Sequence, residues 1–583
     1  MSGVFKKLAL CAAVSVIPFA AQAVSGDYSP VTDDRLKNPE ASNWLIYRGN
    51  YSSWGYSPLS KITDTNVKNL ELAWAYTTGQ KEGHQAPPIV NNGYMYVTTP
   101  GNRVIALDAK TGTELWSYKK RLPAELLQLH PTNRGVALYG DKVYMATVDC
   151  HVVALDAVTG KEVFDRPVCD SSALEYMTLA PLAADGKVLV GVSGGETGVR
   201  GSIIAVDPET GDKVWQTYTV PAPGEEGSET WPEGDAYKNG GGSTWITGSY
   251  DPETKVTYWG TGNPAPWPTE GRPGDNLYTT STIALDIETG EIIGHHQYTP
   301  NDAWDWDEVS APLLIDTEVK GKKGKTKALV HAARNGHLYV LERGQKGDDS
   351  IGFVDAYPFV YQNVFASIDP ETGRPTYKDE RTPGVGKGDV EFCPSLWGGK
   401  DWPPEAYNPK TGLLYIPAMD NLCAELPEPD PVEYKKGDLF IGYPLSSILA
   451  GLRWRNGEQP ESIGEVQAWN LKTGKQVWAH KFEGINWGPL LTTGGNLVFS
   501  GGTTDRKFRA FNATNGDLLW ETATPSGVTG VPSSFEVDGE QYIAVQSGWG
   551  VDSERMLGNI NRLRGEKTVV PQGGTVMVYK LRK

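Results

Sequence analysis

The chain has 583 residues, a formal net charge of −17 at pH 7, and 67 glycines, 40 prolines, 19 tryptophans and 27 tyrosines. This length is far more than one small core requires, and the negative charge argues against nucleic acid and anionic membranes as partners. The many turn-forming and aromatic residues, without amphipathic heptads, predict an all-β protein made of short strands.

Residues 1–23 have the pattern of a secretory signal peptide. Lys6 and Lys7 precede an apolar run over residues 8–20, and the small residues Ala21 and Ala23 form the cleavage site. The run is too short for a convincing membrane span. We therefore expect export to the periplasm, no membrane span in the mature chain, and a single domain over residues 24–583.

A repeated phrase of strand, tight turn and strand organises the rest of the chain. Asp or Asn begins the turn, Gly takes the positive φ, and an aromatic residue, usually Trp, closes the phrase. Copies occur at residues 104–116, 153–164, 204–215, 284–290, 468–478 and 510–520. Several lie about 40 to 50 residues apart, the length of a four-stranded propeller blade. The repeat predicts an eight-bladed β-propeller, in which residues 424–463 interrupt the pattern as a cap or lid.

Four cysteines follow the predicted signal peptide: Cys150, Cys169, Cys393 and Cys423. An even number suits an oxidising compartment, and proximity in sequence favours disulfides Cys150–Cys169 and Cys393–Cys423. The alternative is four buried free thiols. The sequence has no C-x-x-C-H motif, so we expect no covalently attached c-type haem.

Residues 299–307 combine acids with tryptophans and contain no Lys or Arg. Asp305 and Asp307 are two positions apart, so in an extended segment their carboxylates point to the same side. Two such carboxylates repel each other unless a cation lies between them, and a hard cation prefers oxygen ligands. The segment predicts a metal site, with an acidic surface turn as the alternative.

Residues 47–58, the repeated phrase and the acidic segment together resemble the quinoprotein alcohol dehydrogenases, from about residue 40 to 580. That family uses pyrroloquinoline quinone (PQQ) in an eight-bladed, tryptophan-docked propeller. The resemblance implies oxidation of an alcohol to an aldehyde or ketone, with PQQ and one metal ion as cofactors. Because the chain has no haem motif, electrons are expected to pass to a separate acceptor such as a c-type cytochrome.

The resemblance also implies a set of metal ligands. Glu196, Asn263 and Asp305 match the family's ligands, and Asp305 matches the base that takes the proton of the substrate hydroxyl. Asp307 lies where lanthanide-dependent relatives have a second Asp. Three carboxylates balance a trivalent ion, which favours a lanthanide(III) over Ca²⁺. Against this, quinoprotein sugar dehydrogenases can have the same spacing with a divalent metal, and Asp307 could instead pair with an Arg.

The contacts to PQQ follow from the same resemblance. Arg134 matches a partner of a PQQ carboxylate, Trp245 the flat floor under the ring, and Arg334 a contact of the quinone oxygens. Trp549 fits either the same wall or packing between blades. The full set of implied PQQ contacts is Gln85, Arg134, Thr178, Ser193, Gly194, Gly195, Ser243, Trp245, Arg334, Asp401 and Trp487.

The sequence departs from the family at the expected roof of the cofactor site. The family commonly has two adjacent cysteines there, and this chain has Gln128 and Leu129. Gln85, Ser243 and Asp401 replace the usual Glu, Thr and Asn. These departures bear on the substrate and the electron acceptor more than on PQQ, and we expect an apolar ceiling at Leu129 and a more easily exchanged cofactor.

Two other functions fit parts of this pattern. Some quinoprotein glucose dehydrogenases also lack the adjacent cysteines, so a PQQ-dependent sugar or polyol dehydrogenase is one alternative. A non-catalytic propeller scaffold built from the same repeats is the other. A scaffold has no need of Glu196, Asn263 and Asp305 in the family's order.

Overall fold

The computed structural model describes residue 24 and residues 27–126, 129–344 and 351–583. The predicted signal peptide, residues 1–23, and Gln128 lie outside these described residues. Strands dominate, and the α-helices are α1 (Asp33–Lys37), α2 (Leu445–Ala450) and α3 (Gly550–Arg564). None of the described helices has the length and apolar character that a membrane crossing requires.

Eight sheets of sequential antiparallel strands form the body of the described chain, seven with four strands and one with a fifth. Sheet 1 contains Ile89–Asn91, Tyr94–Thr99, Arg103–Asp108 and Glu114–Lys119, and sheet 2 contains Ala137–Tyr139, Lys142–Ala146, His151–Asp156 and Glu162–Pro167. Sheet 3 contains Leu182–Ala184, Lys187–Gly191, Ser202–Val206 and Lys213–Tyr218, and sheet 4 contains Ser249–Asp251, Val256–Gly260, Ser281–Asp286 and Ile292–Gln297. Sheet 5 contains Leu313–Glu318, Lys325–Ala332, His337–Arg343 and Ile351–Pro358, and sheet 6 contains Ala406–Asn408, Leu413–Met419, Gly464–Asn470 and Lys475–Phe482.

The last two sheets draw on both ends of the described chain. Sheet 7 contains Leu491–Thr493, Leu497–Ser500, Lys507–Asn512 and Leu518–Ala523, with Tyr56–Ser57 as a parallel edge strand. Sheet 8 contains Ser533–Val537, Glu540–Ser547, Thr575–Leu581 and, as its outer strand, Leu70–Thr77. The pairing of Leu70 with Leu581 and of Thr77 with Thr575 ties the N-terminal strand to the C-terminal ones. The last sheet is therefore completed by a strand from near the start of the described chain.

The repeated phrase sets the order of the sheets in space. Trp116, at the outer edge of sheet 1, donates its indole N–H to the carbonyl of Ala157 in the turn of sheet 2, at 3.1 Å. Gly160 in that turn has φ +68°, and a Cβ there would lie 2.5 Å from the Trp116 ring. The same indole-to-carbonyl bond joins Trp74 to Ala109, Trp215 to Ile287 and Trp478 to Ala513. These four tryptophans each fasten one sheet to the next, and the strand-rich fold predicted from the repeat is confirmed.

Two smaller sheets lie outside this series. One pairs Phe365–Ile368 with Pro375–Tyr377, and the other contains Val390–Phe392, Leu422–Leu426 and Leu452–Trp454. The predicted interruption at residues 424–463 lies between the second and third strands of sheet 6 and carries α2. Short 3₁₀ helices occur at Val67–Asn69, Ser171–Ala173, Gly195–Thr197, Ser228–Thr230, Ala236–Asn239, Thr269–Gly271 and Asp379–Arg381.

Both predicted disulfides are confirmed. Cys150 bonds to Cys169, and Cys393 bonds to Cys423, with sequence separations of 19 and 30 residues. The second bond ties the small three-stranded sheet, and with it residues 424–463, to the connection between sheets 5 and 6.

We expect replacement of both Cys393 and Cys423 by Ser to lower the free energy of unfolding by about 3 kcal/mol, because the unfolded chain regains the freedom of that loop. Denaturant unfolding of the variant and the wild type measures the difference. Peptide mapping of the non-reduced protein is the control. A free thiol or crossed pairing in that map would contradict the assignment.

Candidate active site

A cavity of about 280 Å³ is lined by residues from connections between strands. Arg134 precedes sheet 2, Glu196 follows the second strand of sheet 3, Asp305 precedes sheet 5, and Trp487 precedes sheet 7. Closing the sheets into a ring gathers these connections, so residues more than 350 positions apart in sequence share one cavity.

The structure brings most of the predicted site residues together. Those that line the cavity are Arg134, Thr178, Ser193, Gly194, Glu196, Ser243, Trp245, Asp305, Asp307, Arg334, Asp401 and Trp487. Two others lie directly behind the lining: a Cβ at Gly195 would be 3.4 Å from Ser243 Oγ and 4.0 Å from Asn263 Oδ1. Asn263 also donates its backbone N–H to Asp307 Oδ1 at 2.6 Å.

Gln85 and Trp549 lie elsewhere. Gln85 borders a separate small pocket with Thr132 and Asp552, rather than the main cavity. Trp549 is buried, and its indole packs against Gly527 without lining the cavity. Of the two interpretations of Trp549, packing within the core is the one the structure supports.

Three carboxylates face the cavity from two connections. Asp307 is buried, Asp305 and Glu196 are partly exposed, and all three line the same space. Burial raises the pKa of Asp305 well above its usual value, and the charge of Asp307 raises it further. Burial also raises the pKa of Asp307. These carboxyl groups resist ionisation, and a cation bound among them would stabilise their charged forms.

The Asp305 carboxyl group differs from that of Asp302 in its hydrogen bonds and in its backbone conformation. Among the described residues no side chain or backbone group donates a hydrogen bond to it, and Asp305 has φ +62°, a left-handed conformation that a non-glycine residue rarely adopts. The neighbouring Asp302, by contrast, accepts the backbone N–H groups of Trp304 and Trp306 at 3.3 and 3.2 Å. Asp302 therefore fastens the segment, and Asp305 is presented to the cavity.

Arg334 donates hydrogen bonds to three of the acidic residues that line the cavity. Its Nη2 donates to Asp401 Oδ1 at 2.9 Å and to Asp307 Oδ2 at 3.3 Å, and its Nη1 donates to the Asp305 carbonyl at 3.2 Å. Burial lowers the pKa of Arg334, but the charges of Asp401 and Asp307 outweigh it and raise that pKa above its usual value. Asp307 thus does pair with an arginine, and Asp401 gives the same arginine a second, closer carboxylate.

The aromatic ring of Trp245 lies near two arginines. The Arg134 guanidinium is 4.8 Å from the centre of the Trp245 ring, and that of Arg334 is 6.0 Å from it. Arg134 also donates to Thr178 Oγ1 at 2.6 Å. Within the described residues, Ser193 Oγ, Arg134 Nε and Trp487 Nε1 are buried without a hydrogen-bond partner. Unpaired polar atoms around an aromatic plane suit a flat ligand that carries carboxylates and carbonyl oxygens.

Sequence reasoning missed a polar pair at the edge of the cavity. His130 Nδ1 lies 3.0 Å from Asp552 Oδ1, which joins the connection before sheet 2 to the first turn of α3. Both residues line the cavity, next to Arg555 and Asn559. The repeated phrase does not extend over residues 550–564, so no sequence pattern pointed to α3 as part of the site.

The His130–Asp552 pair predicts a pH-dependent stability. Burial lowers the pKa of His130, but the Asp552 carboxylate outweighs it and raises that pKa to about 9. The facing charges are Asp552, Arg555, Glu196 and Arg134. A raised histidine pKa stabilises the fold fully below about pH 6.5, and this contribution is lost as the pH rises through about 9.

We expect His130→Gln to remove about 1 kcal/mol of that pH-dependent stability, a value reduced for solvent screening of a partly exposed pair. Thermal unfolding of wild type and variant between pH 6 and pH 10 measures it, with Asp552→Asn as the matched partner variant. Parallel pH profiles for wild type and variant would contradict the prediction.

Comparisons with known proteins identify relatives of this chain. A family model described as "PQQ: Glucose/ethanol/alcohol dehydrogenase, beta-propeller domain" matches residues 44–351 and 481–543. Quinoprotein alcohol dehydrogenase PedH of Pseudomonas putida is 38% identical, over 98% of this chain and 97% of its own. The 1-butanol dehydrogenase (quinone) of Thauera butanivorans is 35% identical over 99% of both chains.

A solved structure is similar over most of this chain. A europium-containing methanol dehydrogenase superposes with a TM-score of 0.86 at 34% identity, and covers 94% of this chain and 100% of its own. The predicted β-propeller class is confirmed by this match and by the family model.

Proposed function

Because this chain belongs to the PQQ-dependent quinoprotein alcohol dehydrogenases, we propose that it oxidises an alcohol in the periplasm with Asp305 as base and a lanthanide(III) ion beside PQQ. The observation that carries the residue assignment is the convergence of Glu196, Asp305 and Asp307 on one cavity, next to Trp245. Enzymatic function itself follows from the family, so the scaffold interpretation is set aside.

The acids fit a cation with a high charge. Glu196, Asn263 and Asp305 supply oxygen atoms suited to a hard ion, and Asp307 adds a third carboxylate within the same wall. Asp401 pairs more closely with Arg334 than Asp307 does, at 2.9 Å against 3.3 Å. Since Asp401 offsets the arginine, the charge of Asp307 remains available to the metal. This supports a trivalent ion over Ca²⁺.

The remaining lining residues fit PQQ. Arg134 and Thr178 would contact carboxylates of PQQ, Trp245 would supply the aromatic plane under the ring, and Arg334 would donate to the quinone oxygens. When bound, PQQ supplies a two-electron acceptor and the metal supplies a Lewis acid.

Asp305 has the position and the environment of a general base. Its carboxylate faces the cavity without a donor from the described residues, and its raised pKa results from burial and from neighbouring negative charge. A cation near Glu196 and Asp307 lowers that pKa, so the carboxylate can take the proton of the substrate hydroxyl. The buried Asp302 holds the backbone of the same segment in place.

The location and the electron acceptor are part of the proposal. The signal-like residues 1–23 and two disulfides favour the periplasm. No haem attachment motif occurs, and the net charge of −17 favours a basic protein partner, so we propose a c-type cytochrome as acceptor. One relative, 34% identical, is named methanol dehydrogenase [cytochrome c] subunit 1, of Methylobacterium organophilum.

Removal and return of the cofactors tests this function. We expect chelation to yield inactive protein that regains alcohol oxidation with an artificial dye acceptor when PQQ and metal are added. The physical reason is that no adjacent cysteine pair covers the cofactor, and Leu129 offers only an apolar contact. PQQ absorbance measures loading independently of activity. Alcohols and sugars are assayed in parallel, and oxidation of sugars alone would contradict the alcohol assignment.

A further inference from the structure

The outer part of the cavity differs in character from the part that holds the acids. It is lined by apolar side chains from residues 439–449, together with others from three more connections and α3. These side chains are Leu129, Trp267, Trp397, Leu439, Ile441, Leu445, Ile448, Leu449 and Met556. We call residues 439–449 the apolar wall. Residues of this wall line the same cavity as Asp305.

The backbone of the apolar wall is fastened at both ends to the site. Phe440 donates its backbone N–H to the carbonyl of Glu196 at 2.7 Å, which joins the wall to a proposed metal ligand. At the other end, Arg562 on α3 donates to the carbonyl of Ala450 at 2.9 Å. These two hydrogen bonds hold the wall next to Glu196 and α3.

Three leucines of the apolar wall are exposed. Leu445 is 53% exposed, Leu439 39% and Leu449 38%, and all three line the cavity. Several other large exposed apolar residues, such as Val163, Val214 and Val477, lie on the outer strands of different sheets. Single exposed apolar residues are normal, whereas a group of them at the mouth of a cavity indicates a binding surface.

We propose that the apolar wall binds the hydrocarbon part of the substrate, so that this enzyme prefers primary alcohols with a chain of several carbons to methanol and ethanol. The inference rests on the proposed function, since the hydroxyl group of such an alcohol lies at Asp305. The apolar body displaces water from Leu439, Leu445 and Leu449, which is favourable in proportion to the area covered.

Rates for linear primary alcohols from methanol to 1-decanol test the proposal, with a small dye as electron acceptor and the PQQ- and metal-loaded enzyme. We expect kcat/KM to rise about two- to fourfold per added methylene until the chain passes the wall. The gain should appear in KM, because this contact is equal in ground state and transition state. An enzyme that oxidises ethanol and 1-decanol with equal kcat/KM would overturn the inference and leave the proposed function intact. No oxidation of any alcohol would overturn the function itself.

Variants of the wall connect the preference to these residues. We expect the double variant Leu445→Ser, Leu449→Ser to lower kcat/KM for 1-octanol by about tenfold or more, with a much smaller loss for ethanol. The double variant Leu445→Met, Leu449→Met conserves the apolar character, so its kcat/KM should still rise with the chain length of the alcohol. Leu72→Ser is the matched control, because Leu72 is 48% exposed on the outer strand of sheet 8, away from the cavity.

Binding without turnover gives an independent readout. 2-Methyldecan-2-ol has no hydrogen on its carbinol carbon, so the enzyme cannot oxidise it. We expect calorimetry to show binding with a negative heat-capacity change to the loaded wild type, weakened in the Ser double variant. If the Ser variant keeps both the slope and this binding and loses only electron transfer to a cytochrome, the wall is a protein docking surface and the proposal is wrong.

Discussion

We expect replacement of Asp305 with Asn to lower alcohol turnover by at least about 100-fold, the low end for removal of a general base. The amide cannot take the proton of the substrate hydroxyl, and it also removes one negative charge from the proposed metal site. Because the Asp305 carboxylate accepts no hydrogen bond from the described residues, the substitution breaks no side-chain hydrogen bond of the fold, and stability should change little. Steady-state rates with a dye acceptor measure the loss.

The control for this variant is Asp316→Asn, which changes an exposed carboxylate that pairs with Arg343 and does not line the cavity. PQQ absorbance of both proteins shows whether the cofactor is still bound. A normal rate in Asp305→Asn with PQQ bound would show that another group takes the proton.

The second large effect that we expect is the dependence of turnover on the identity of the metal. We expect the apoprotein loaded with PQQ and lanthanum to turn over at least about tenfold faster than with PQQ and calcium, since a trivalent ion balances three carboxylates and is the stronger Lewis acid. Parallel reconstitutions with each ion measure the ratio. Full activity with calcium and none with lanthanum would refute the charge-balance argument.

Two variants separate the acids that contribute to this preference. Asp307→Asn removes a carboxylate from the site and should shift the lanthanum-to-calcium ratio toward calcium. Asp401→Asn leaves Arg334 with Asp307 as its remaining carboxylate partner at hydrogen-bond distance, so it should also weaken lanthanum binding. Luminescence of bound terbium reports the affinity of each variant without turnover. An Asp401→Asn protein that binds terbium as tightly as the wild type would show that Asp401 does not offset the arginine.

The sequence by itself determined the fold and most of the site's membership. The Asp-to-Gly turn and the closing Trp act within a few residues, so each copy of the phrase predicts its own strand pair and its docking to the next sheet. That Glu196, Asn263 and Asp305 belong to one site was implied by the resemblance to the quinoprotein alcohol dehydrogenases and not by the repeat itself. The disulfide pairs followed from the proximity of the cysteines along the chain.

Only the tertiary structure decided how charges and surfaces are shared between distant connections. Arg334 lies between Asp307 and Asp401, and His130 lies beside Asp552, through contacts of 27 to 422 positions in sequence separation. Gln85 does not line the cavity, whereas the exposed leucines of the apolar wall do. Such contacts depend on the path of loops and insertions that no local period controls, since a turn motif specifies its own strands and not what lies across the ring from them.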